Sequence, residues 1–322
     1  KILLPMSVLK FTPICVVRVW GGRSLAKVFG RDLPEGKRIG ETWEIVDRPE
    51  SQSIVAEGPW KNRTLRELIE SNSDWLLGPS WSSAKPFPIL VKWLDCSERL
   101  SLQVHPPSVI AHELGGEPKT ENWYVAEATS GAGLIAGLKS GVTKESFEKA
   151  LKAGCLEDLC YRFPSLAGDS LLVESGRIHA IDGGNLILEV QQNSDTTYRV
   201  YDWERLGLDG EPRELHLEES MRCINFDDFE PEPYHSDAEV AKQVIAECDH
   251  FRICKFELTD GQMKKLSYAG EDAALLHVLS GSLHGEGYFL QAGDTGLVPF
   301  SEDFLAQASK KTTFLVTDRF IG

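Results

Sequence analysis

The sequence predicts a mostly β protein built from sandwich or barrel modules. Short segments rich in β-forming residues recur along most of the chain, and glycine and proline turn signals separate them. Helical patterns occupy few stretches, and short strands at regular spacing with few helices are typical of sandwiches and barrels. A weak internal repeat relates residues 168–173 to residues 293–298. It suggests that the C-terminal block is a second copy of an earlier module.

Size and charge restrict the possible partners. The 322 residues are enough for two domains, and a hydrophobic share of 42% is ordinary for a globular protein. The formal net charge of −15 argues against nucleic acid or an anionic membrane as a partner, because both require a basic face. An anionic small substrate would need a local cationic pocket. No apolar run approaches the ~20 residues of a membrane span.

Cysteine usage and the N-terminus indicate the compartment. The seven cysteines are odd in number and form no CxxC pair, so we expect reduced thiols in a cytoplasmic protein.

The first ten residues faintly resemble a signal peptide, but Pro5 and Lys10 interrupt the apolar run. We therefore expect Met6 to be the natural start and residues 1–5 to be foreign to it.

The elements follow from local patterns, taken in chain order. Residues 11–60 are rich in β-formers, and Thr64 and Glu67 form a capping box that begins a helix. A second helical stretch, 143–159, carries Phe147, Ala150 and other apolar residues at helical spacing. The predicted strands of this part are 86–93, 100–104, 170–173, 186–192 and 198–203.

The chain is predicted to contain two domains. Residues 207–235 are acidic and rich in glycine and proline, so they are interpreted as a connector, and a β-rich block follows residue 240. We expect a catalytic domain at 1–220, with a helical insertion at about 143–160, and a C-terminal domain at 221–322. Eleven residues after the glycines of the internal repeat stand His179 in the first copy and Phe304 in the second. The second copy is therefore expected to lack a metal site.

The most informative stretch is 100–106, where Gln103 and His105 stand two residues apart in an alternating run. On a strand, residues i and i+2 point to the same face. Glu121 and His179 add a carboxylate and a second imidazole. Two histidines, a carboxylate and an amide oxygen make a plausible four-ligand set for a divalent metal such as zinc. His112 and Glu113 form a rival pair.

Seven segments together resemble type I mannose-6-phosphate isomerases in their short bacterial form, which are built on cupin barrels. The resemblance implies two cupin modules, one zinc ion per chain, and ligation by Gln103, His105, Glu121 and His179. It also implies an essential arginine at Arg199 and a lysine beside the metal. The segments, in family order, are 20–22, 39–44, 86–92, 100–106, 119–124, 176–181 and 189–203.

The sequence departs from the family pattern at two places. Asn122 stands where an aliphatic residue or methionine usually follows the ligand glutamate, and Pro107 stands where an acidic residue is common. Neither change removes a ligand.

The implied reaction moves a proton between C1 and C2 of mannose 6-phosphate and fructose 6-phosphate through an enediol. Lys119 beside a dication is a candidate for proton transfer, because like charge lowers the pKa of an ammonium group. Arg199 can grip the enediolate or the phosphate with two donors, or form a structural ion pair. Ser101 and Lys92 are candidates for phosphate contact. The sequence leaves open which group abstracts the proton.

Two other functions fit the same residues. His105, Glu121 and His179 could form the facial set of an iron-dependent cupin dioxygenase. The chain could also be a non-catalytic module that binds sugar phosphates, although Lys119 and Arg199 beside a full ligand set argue against this.

Overall fold

The computed structural model describes residues 7–237, 240–267 and 269–321. Within them the chain is mostly β, as the sequence predicted, whereas the expectation about Met6 and residues 1–5 lies outside the described residues. The helices are α1 (Ser24–Phe29), α2 (Leu65–Leu76), α3 (Ser108–Ala111), α4 (Lys144–Ala153) and α5 (Leu217–Cys223), with 3₁₀ turns at His112–Leu114 and Leu156–Leu159.

The strands of the first half are β1 (Leu9–Lys10), β2 (Ile14–Gly22), β3 (Ile39–Ile45), β4 (Asp47–Arg48), β5 (Ser51–Gln52), β6 (Ile89–Cys96), β7 (Leu102–Val104), β8 (Glu121–Ala128), β9 (Gly133–Leu138), β10 (Cys160–Pro164), β11 (Asp169–Val173) and β12 (His179–Ile181). Those of the second half are β13 (Asn185–Gln192), β14 (Tyr198–Tyr201), β15 (Tyr234–His235), β16 (Lys242–Cys248), β17 (Phe251–Leu258), β18 (Met263–Ser267), β19 (Ala274–Ser280), β20 (Ser282–Gly285), β21 (Tyr288–Gln291), β22 (Thr295–Val298), β23 (Phe304–Ala308) and β24 (Thr312–Asp318).

The chain divides into two compact units. One combines the residues up to Ile14 with Thr42–Lys92 and the residues from Ser236 onward, and the other combines Cys15–Glu41 with Trp93–His235. The chain passes between them within β3 and β6. The division into domains 1–220 and 221–322 stays a prediction.

Two pairs of sheets repeat the same strand order. One pair contains β11-β8-β13-β6 within a seven-stranded sheet and β10-β9-β12-β7 within a five-stranded sheet that ends on β14. The other pair contains β22-β19-β24-β17 within a six-stranded sheet and β21-β20-β23-β18 as a four-stranded sheet. Adding eleven to each strand number of the first pair gives the second, so the weak sequence repeat extends to the topology.

The repeat also matches individual positions. Val173 pairs with Glu121 between β11 and β8, and Val298 pairs with Ala274 between β22 and β19. His179 is the first residue of β12 as Phe304 is of β23. The second copy therefore carries alanine and phenylalanine where the first carries a carboxylate and an imidazole, and both apolar side chains are buried in a hydrophobic core.

Helix boundaries follow the expected caps, with two differences. The Thr64 capping box begins α2 as predicted, and Thr143 caps α4. The predicted helix 143–159 was too long, because Gly154 adopts a positive φ of 71° and ends α4, and a 3₁₀ turn follows. The second difference lies in the segment 207–235, which was interpreted from its composition as a connector. It contains α5, which buries Ser220 and Cys223.

All seven cysteines are unbridged. Among the residues that the structure describes, none of the helices has the length and apolar character that a membrane crossing requires.

Replacing His277 with glutamine is expected to reduce the acid sensitivity of the fold. His277 is buried between the hydroxyls of Thr295 and Thr317, and burial lowers its pKa to about 3. A histidine in the unfolded chain has a pKa of about 6.5, so the unfolded state binds a proton at a higher pH than the folded state does. The folded state therefore loses stability relative to the unfolded state as the pH falls from about 6.5 toward 3. For one such group, the free energy of unfolding falls by about 2 kcal/mol between about pH 7 and pH 5.

Urea unfolding at both pH values measures this loss, with His250→Gln in an exposed turn as the control. An equal loss in wild type and in His277→Gln would contradict the prediction.

Candidate metal centre

Three buried side chains converge on one point. The ligand atoms of His105, Glu121 and His179 all lie within 4.8 Å of one another, and at most 1% of each residue is exposed. Within residues 7–237, 240–267 and 269–321, this is the one group of three or more His, Cys, Asp or Glu side chains with such spacing. His105 directly follows β7 and His179 begins β12, and both strands belong to the five-stranded sheet. Glu121 begins β8 of the seven-stranded sheet.

Strand register brings Gln103 and Arg199 to the same place. Gln103 on β7 stands directly opposite His179 on β12 and, on its other side, opposite Arg199 on β14. Residues directly opposite each other in an antiparallel pair share a face of the sheet. An imidazole, an amide and a guanidinium therefore form one row across three strands.

Backbone carbonyls set the tautomer of both histidines. His105 Nδ1 lies 2.9 Å from Thr196 O, and His179 Nδ1 lies 2.8 Å from Arg177 O. A carbonyl only accepts, so each Nδ1 carries the proton and donates it, which leaves a lone pair on Nε2. This is the arrangement in which protein histidines bind metals through Nε2.

The spacing of the free atoms fits a tetrahedral ion. His105 Nε2 lies 3.3 Å from Glu121 Oε2, and His179 Nε2 lies 3.7 Å from Glu121 Oε1. Metal–ligand bonds of about 2.0–2.1 Å in tetrahedral geometry separate neighbouring ligand atoms by about 3.3 Å. His105 Nε2 and both Glu121 oxygens are buried and lack a hydrogen-bond partner among the described residues. These side chains therefore fit a divalent ion.

Gln103 is close enough to serve as a fourth ligand. Its Nε2 lies 3.2 Å from His179 Nε2, and its Oε1 accepts a hydrogen bond from Ser101 Oγ at 3.4 Å. The two ends of an amide exchange by a rotation about its last side-chain torsion. Such a rotation would turn Oε1, the amide atom that can bind a metal ion, toward His179.

The charges of the cluster are those of a ligand set ready to bind. Burial lowers the pKa of His105. Burial also lowers the pKa of His179 to about 3, and the neighbouring His105 is the second cause of that shift. Burial alone would raise the pKa of Glu121, but the positive charge of the neighbouring Lys119 holds it well below its usual range. The imidazoles are therefore neutral and the carboxylate is ionised near neutral pH.

Lys119 is buried against the same carboxylate. Its Nζ lies 2.7 Å from Glu121 Oε2, so the ammonium and the carboxylate form a buried ion pair. Burial tends to lower the pKa of this ammonium group, but the charges of Glu121 and Glu189 raise it above its usual value. The lysine is therefore held charged beside the ligand atoms.

Arg199 lies in a cationic environment that contrasts with the acidic chain. Burial lowers its pKa, with the positive charge of Arg213 as the second cause and that of Arg205 adding to it, whereas Asp202 opposes them. Asp202 accepts hydrogen bonds from both Arg205 and Arg213. The sequence left open a structural ion pair of Arg199 with Asp195 or Asp202, and the hydrogen bonds of Asp202 described here come from Arg205 and Arg213.

The remaining predicted residues have other surroundings. Lys92 is buried in the other compact unit, where its Nζ lies 5.1 Å above the Trp43 ring. Ser101 contacts Gln103, as described. The rival pair is exposed, and Glu113 forms an ion pair with Arg222. Asn122 Oδ1 accepts from Ser170 Oγ, and strand alternation turns Asn122 to the face opposite Glu121.

Sequence reasoning did not assign a role to Glu189. Its Oε2 accepts a hydrogen bond from Trp123 Nε1 at 3.1 Å, and the Trp123 ring meets His179 edge-on at 5.3 Å between centroids. The sequence contained a signal for Glu189, because Glu189 and Gln191 stand two residues apart on β13 and therefore point to the same face. Gln191 stands opposite Glu121. His216, which contacts Arg199, gave no such signal, because it lies outside the strands.

Together, these features define a mostly β protein with a buried two-histidine, one-carboxylate centre beside a lysine and an arginine. The chain belongs to the type I phosphomannose isomerase family. Residues 8–132 match the family described as phosphomannose isomerase type I, catalytic domain. This confirms the resemblance stated from the sequence.

Individual relatives cover most of the chain. The probable mannose-6-phosphate isomerase GmuF of Bacillus subtilis is 36% identical over 89% of this chain and 91% of its own. The mannose-6-phosphate isomerase of Streptococcus mutans is 43% identical over 64% of each. The crystal structure of the mannose 6-phosphate isomerase from Bacillus subtilis superposes with a TM-score of 0.85 at 32% identity, covering 97% of this chain and 99% of that one.

Replacing Glu121 with glutamine is expected to destabilise the metal-free protein by about 3–5 kcal/mol, because it leaves the buried Lys119 ammonium without its partner. The same change is expected to abolish most of the rise in melting temperature that Zn²⁺ gives the wild type, since ligand binding to the folded state alone stabilises it.

Unfolding in EDTA and melting with added Zn²⁺ measure the two effects, and the exposed Glu113→Gln is the matched control. A Glu121→Gln protein as stable as wild type, with an equal response to Zn²⁺, would show that no ion binds here.

Proposed function

We propose that this chain is a zinc-dependent aldose–ketose isomerase that interconverts mannose 6-phosphate and fructose 6-phosphate. The observation that carries the proposal is the buried His105, Glu121 and His179 cluster with a charged lysine at its carboxylate. The names of relatives that are 36% identical over about nine-tenths of the chain support the substrates. A cytoplasmic location goes with this proposal and stays a prediction.

Gln103, His105, Glu121 and His179 are proposed to hold one zinc ion. When bound, zinc supplies Lewis-acid polarisation of an oxygen of the substrate. The two imidazoles present their Nε2 lone pairs because Thr196 O and Arg177 O hold the protons on Nδ1. Glu121 provides the negative charge that offsets part of the charge of the ion.

Lys119 is proposed to hold or move a proton at its Nζ. In the present arrangement Glu121 keeps this group protonated. Sharing the carboxylate with a dication would weaken that hold and lower the pKa of the ammonium group, since a neighbouring positive charge disfavours the protonated form. Glu189 is a second carboxylate whose charge acts on Lys119.

Arg199 is proposed to bind the negative charge that develops on the substrate oxygen in the enediolate. A guanidinium remains charged at any physiological pH and offers two parallel donors to an oxyanion. Its position opposite Gln103 puts it on the face of the sheet that carries the ligands. Ser101 and Lys92 remain candidates for contact with the phosphate.

The paired sheets are proposed to form two cupin modules. The repeated strand order supports two copies of one module, and the apolar residues at the positions of Glu121 and His179 support a C-terminal copy without a metal site. The matching register of Val173 and Val298 is the strongest single support.

Replacing either His105 or His179 with alanine is expected to remove zinc and isomerase activity together, because each change deletes a ligand. Elemental analysis of the purified protein and a coupled assay on mannose 6-phosphate measure both quantities. His112→Ala, which changes an exposed histidine outside the cluster, is expected to retain both.

Full activity in a metal-free His105→Ala protein would refute the role of the metal. Iron as the bound metal, with oxygen consumption and without isomerisation, would support the dioxygenase alternative instead. Tight binding of mannose 6-phosphate without turnover would support the non-catalytic alternative.

Replacing Arg199 with lysine is expected to lower kcat by about 10²–10³-fold, the usual effect of removing an oriented donor from a developing oxyanion. The zinc content is expected to remain unchanged, because Arg199 is not a ligand. An equal kcat in both proteins would contradict the proposed role of the guanidinium.

A further inference from the structure

We propose that His216 is a positioning residue that holds Arg199 beside Gln103. The inference rests on the proposed function, since it gives Arg199 a part in the reaction. His216 lies between β14 and α5, in the segment that the sequence marked as a connector. It therefore lies outside every sequence motif that suggested the site.

The first step in the argument is the edge of the sheet. β14 is the edge strand of the five-stranded sheet, so its outward backbone groups have no neighbouring strand in that sheet. His216 supplies both missing partners of Arg199. The backbone N–H of His216 donates to Arg199 O at 2.8 Å, and the N–H of Arg199 donates to His216 Nδ1 at 3.2 Å. The imidazole takes the place of the carbonyl of an additional strand.

The second step concerns the other side of β14. Because both backbone groups of Arg199 point outward to His216, Arg199 and Gln103 face each other as a non-hydrogen-bonded pair. In an antiparallel ladder this is the pair whose side chains approach most closely. The contact with His216 thus holds the backbone of Arg199 at the position where its side chain and that of Gln103 share one face of the sheet.

The third step concerns the guanidinium itself. Arg199 Nη1 donates to Glu214 O at 2.8 Å, so residues 214–216 hold both the backbone and one end of the side chain. Arg199 Nε is buried and finds no hydrogen-bond partner in the part of the chain that is described. The arginine is thus oriented from one side and keeps a donor for an incoming anion.

The fourth step is the anchor of His216. Its carbonyl accepts from the backbone N–H of Ser220 at 2.9 Å and from Ser220 Oγ at 2.5 Å. Ser220 is fully buried on α5. A buried helix residue therefore fixes His216, which in turn fixes Arg199.

The test compares His216→Leu with His216→Asn. Asparagine can present its Oδ1 close to where Nδ1 lies and so keeps the acceptor, whereas leucine removes it. We expect His216→Leu to lower kcat by about 10–100-fold, because small misplacements of a reacting group have effects of that size. The KM and the zinc content are expected to change little, and asparagine is expected to restore kcat to within about threefold.

A double-mutant comparison separates positioning from general damage. In an Arg199→Ala background, His216→Leu is expected to cause no further loss of kcat, because the residue on which it acts is already gone. His250→Leu makes the same exchange at an exposed turn and serves as the control for stability and folding. A wild-type kcat in His216→Leu, equal losses in both variants, or losses that multiply in the Arg199→Ala background would overturn the inference.

A spectroscopic readout keeps the inference distinct from the proposed function. An imidazole that accepts at Nδ1 must carry its proton on Nε2, and the ¹⁵N spectrum of the histidine rings reports this tautomer, with His216→Asn assigning the signal. If the wild type does not isomerise mannose 6-phosphate, the proposed function fails. The ring spectrum then still tests the hydrogen bond from the Arg199 N–H to His216 Nδ1. A neutral His216 with its proton on Nδ1 could not accept that bond and would overturn the inference.

Discussion

A buried carboxylate is the constraint on which the first module depends. Glu121 is fully buried, and its negative charge must be matched inside the protein, because an unpaired charge there is very costly. Lys119 supplies that positive charge in a buried ion pair, and the two neutral imidazoles present their Nε2 lone pairs toward the same carboxylate. Burial keeps those imidazoles neutral, so their lone pairs are available to a divalent ion.

Strand register turns distant residues into one site. Gln103 lies between His179 and Arg199 because β7 pairs with β12 on one side and with β14 on the other. A shift of one residue would turn the side chains of a strand to the opposite face. The sheets of the C-terminal part repeat this strand order, and Ala274 and Phe304 stand there at the positions of Glu121 and His179 and belong to an apolar core.

The groups around the ligands have separate tasks. Thr196 and Arg177 act through backbone carbonyls, which hold the histidine tautomers whatever their own side chains are. Asp202 binds two arginines and thereby limits the local positive charge around Arg199. The chain as a whole is acidic, so this local excess of arginine distinguishes the region where an anion can bind.

The sequence by itself determined the mostly β class, the capping box at Thr64 and the ligand candidates, because these depend on alternation, spacing and side-chain type within short segments. Glycine ended α4 earlier than the apolar spacing predicted, and α5 lies within a segment whose composition indicated a connector. Only the tertiary structure brought Glu121 and His179 to Gln103, and only it put His216 against the backbone of Arg199. Pairing across a sheet edge depends on where the chain returns in space, and no local pattern in the sequence records that.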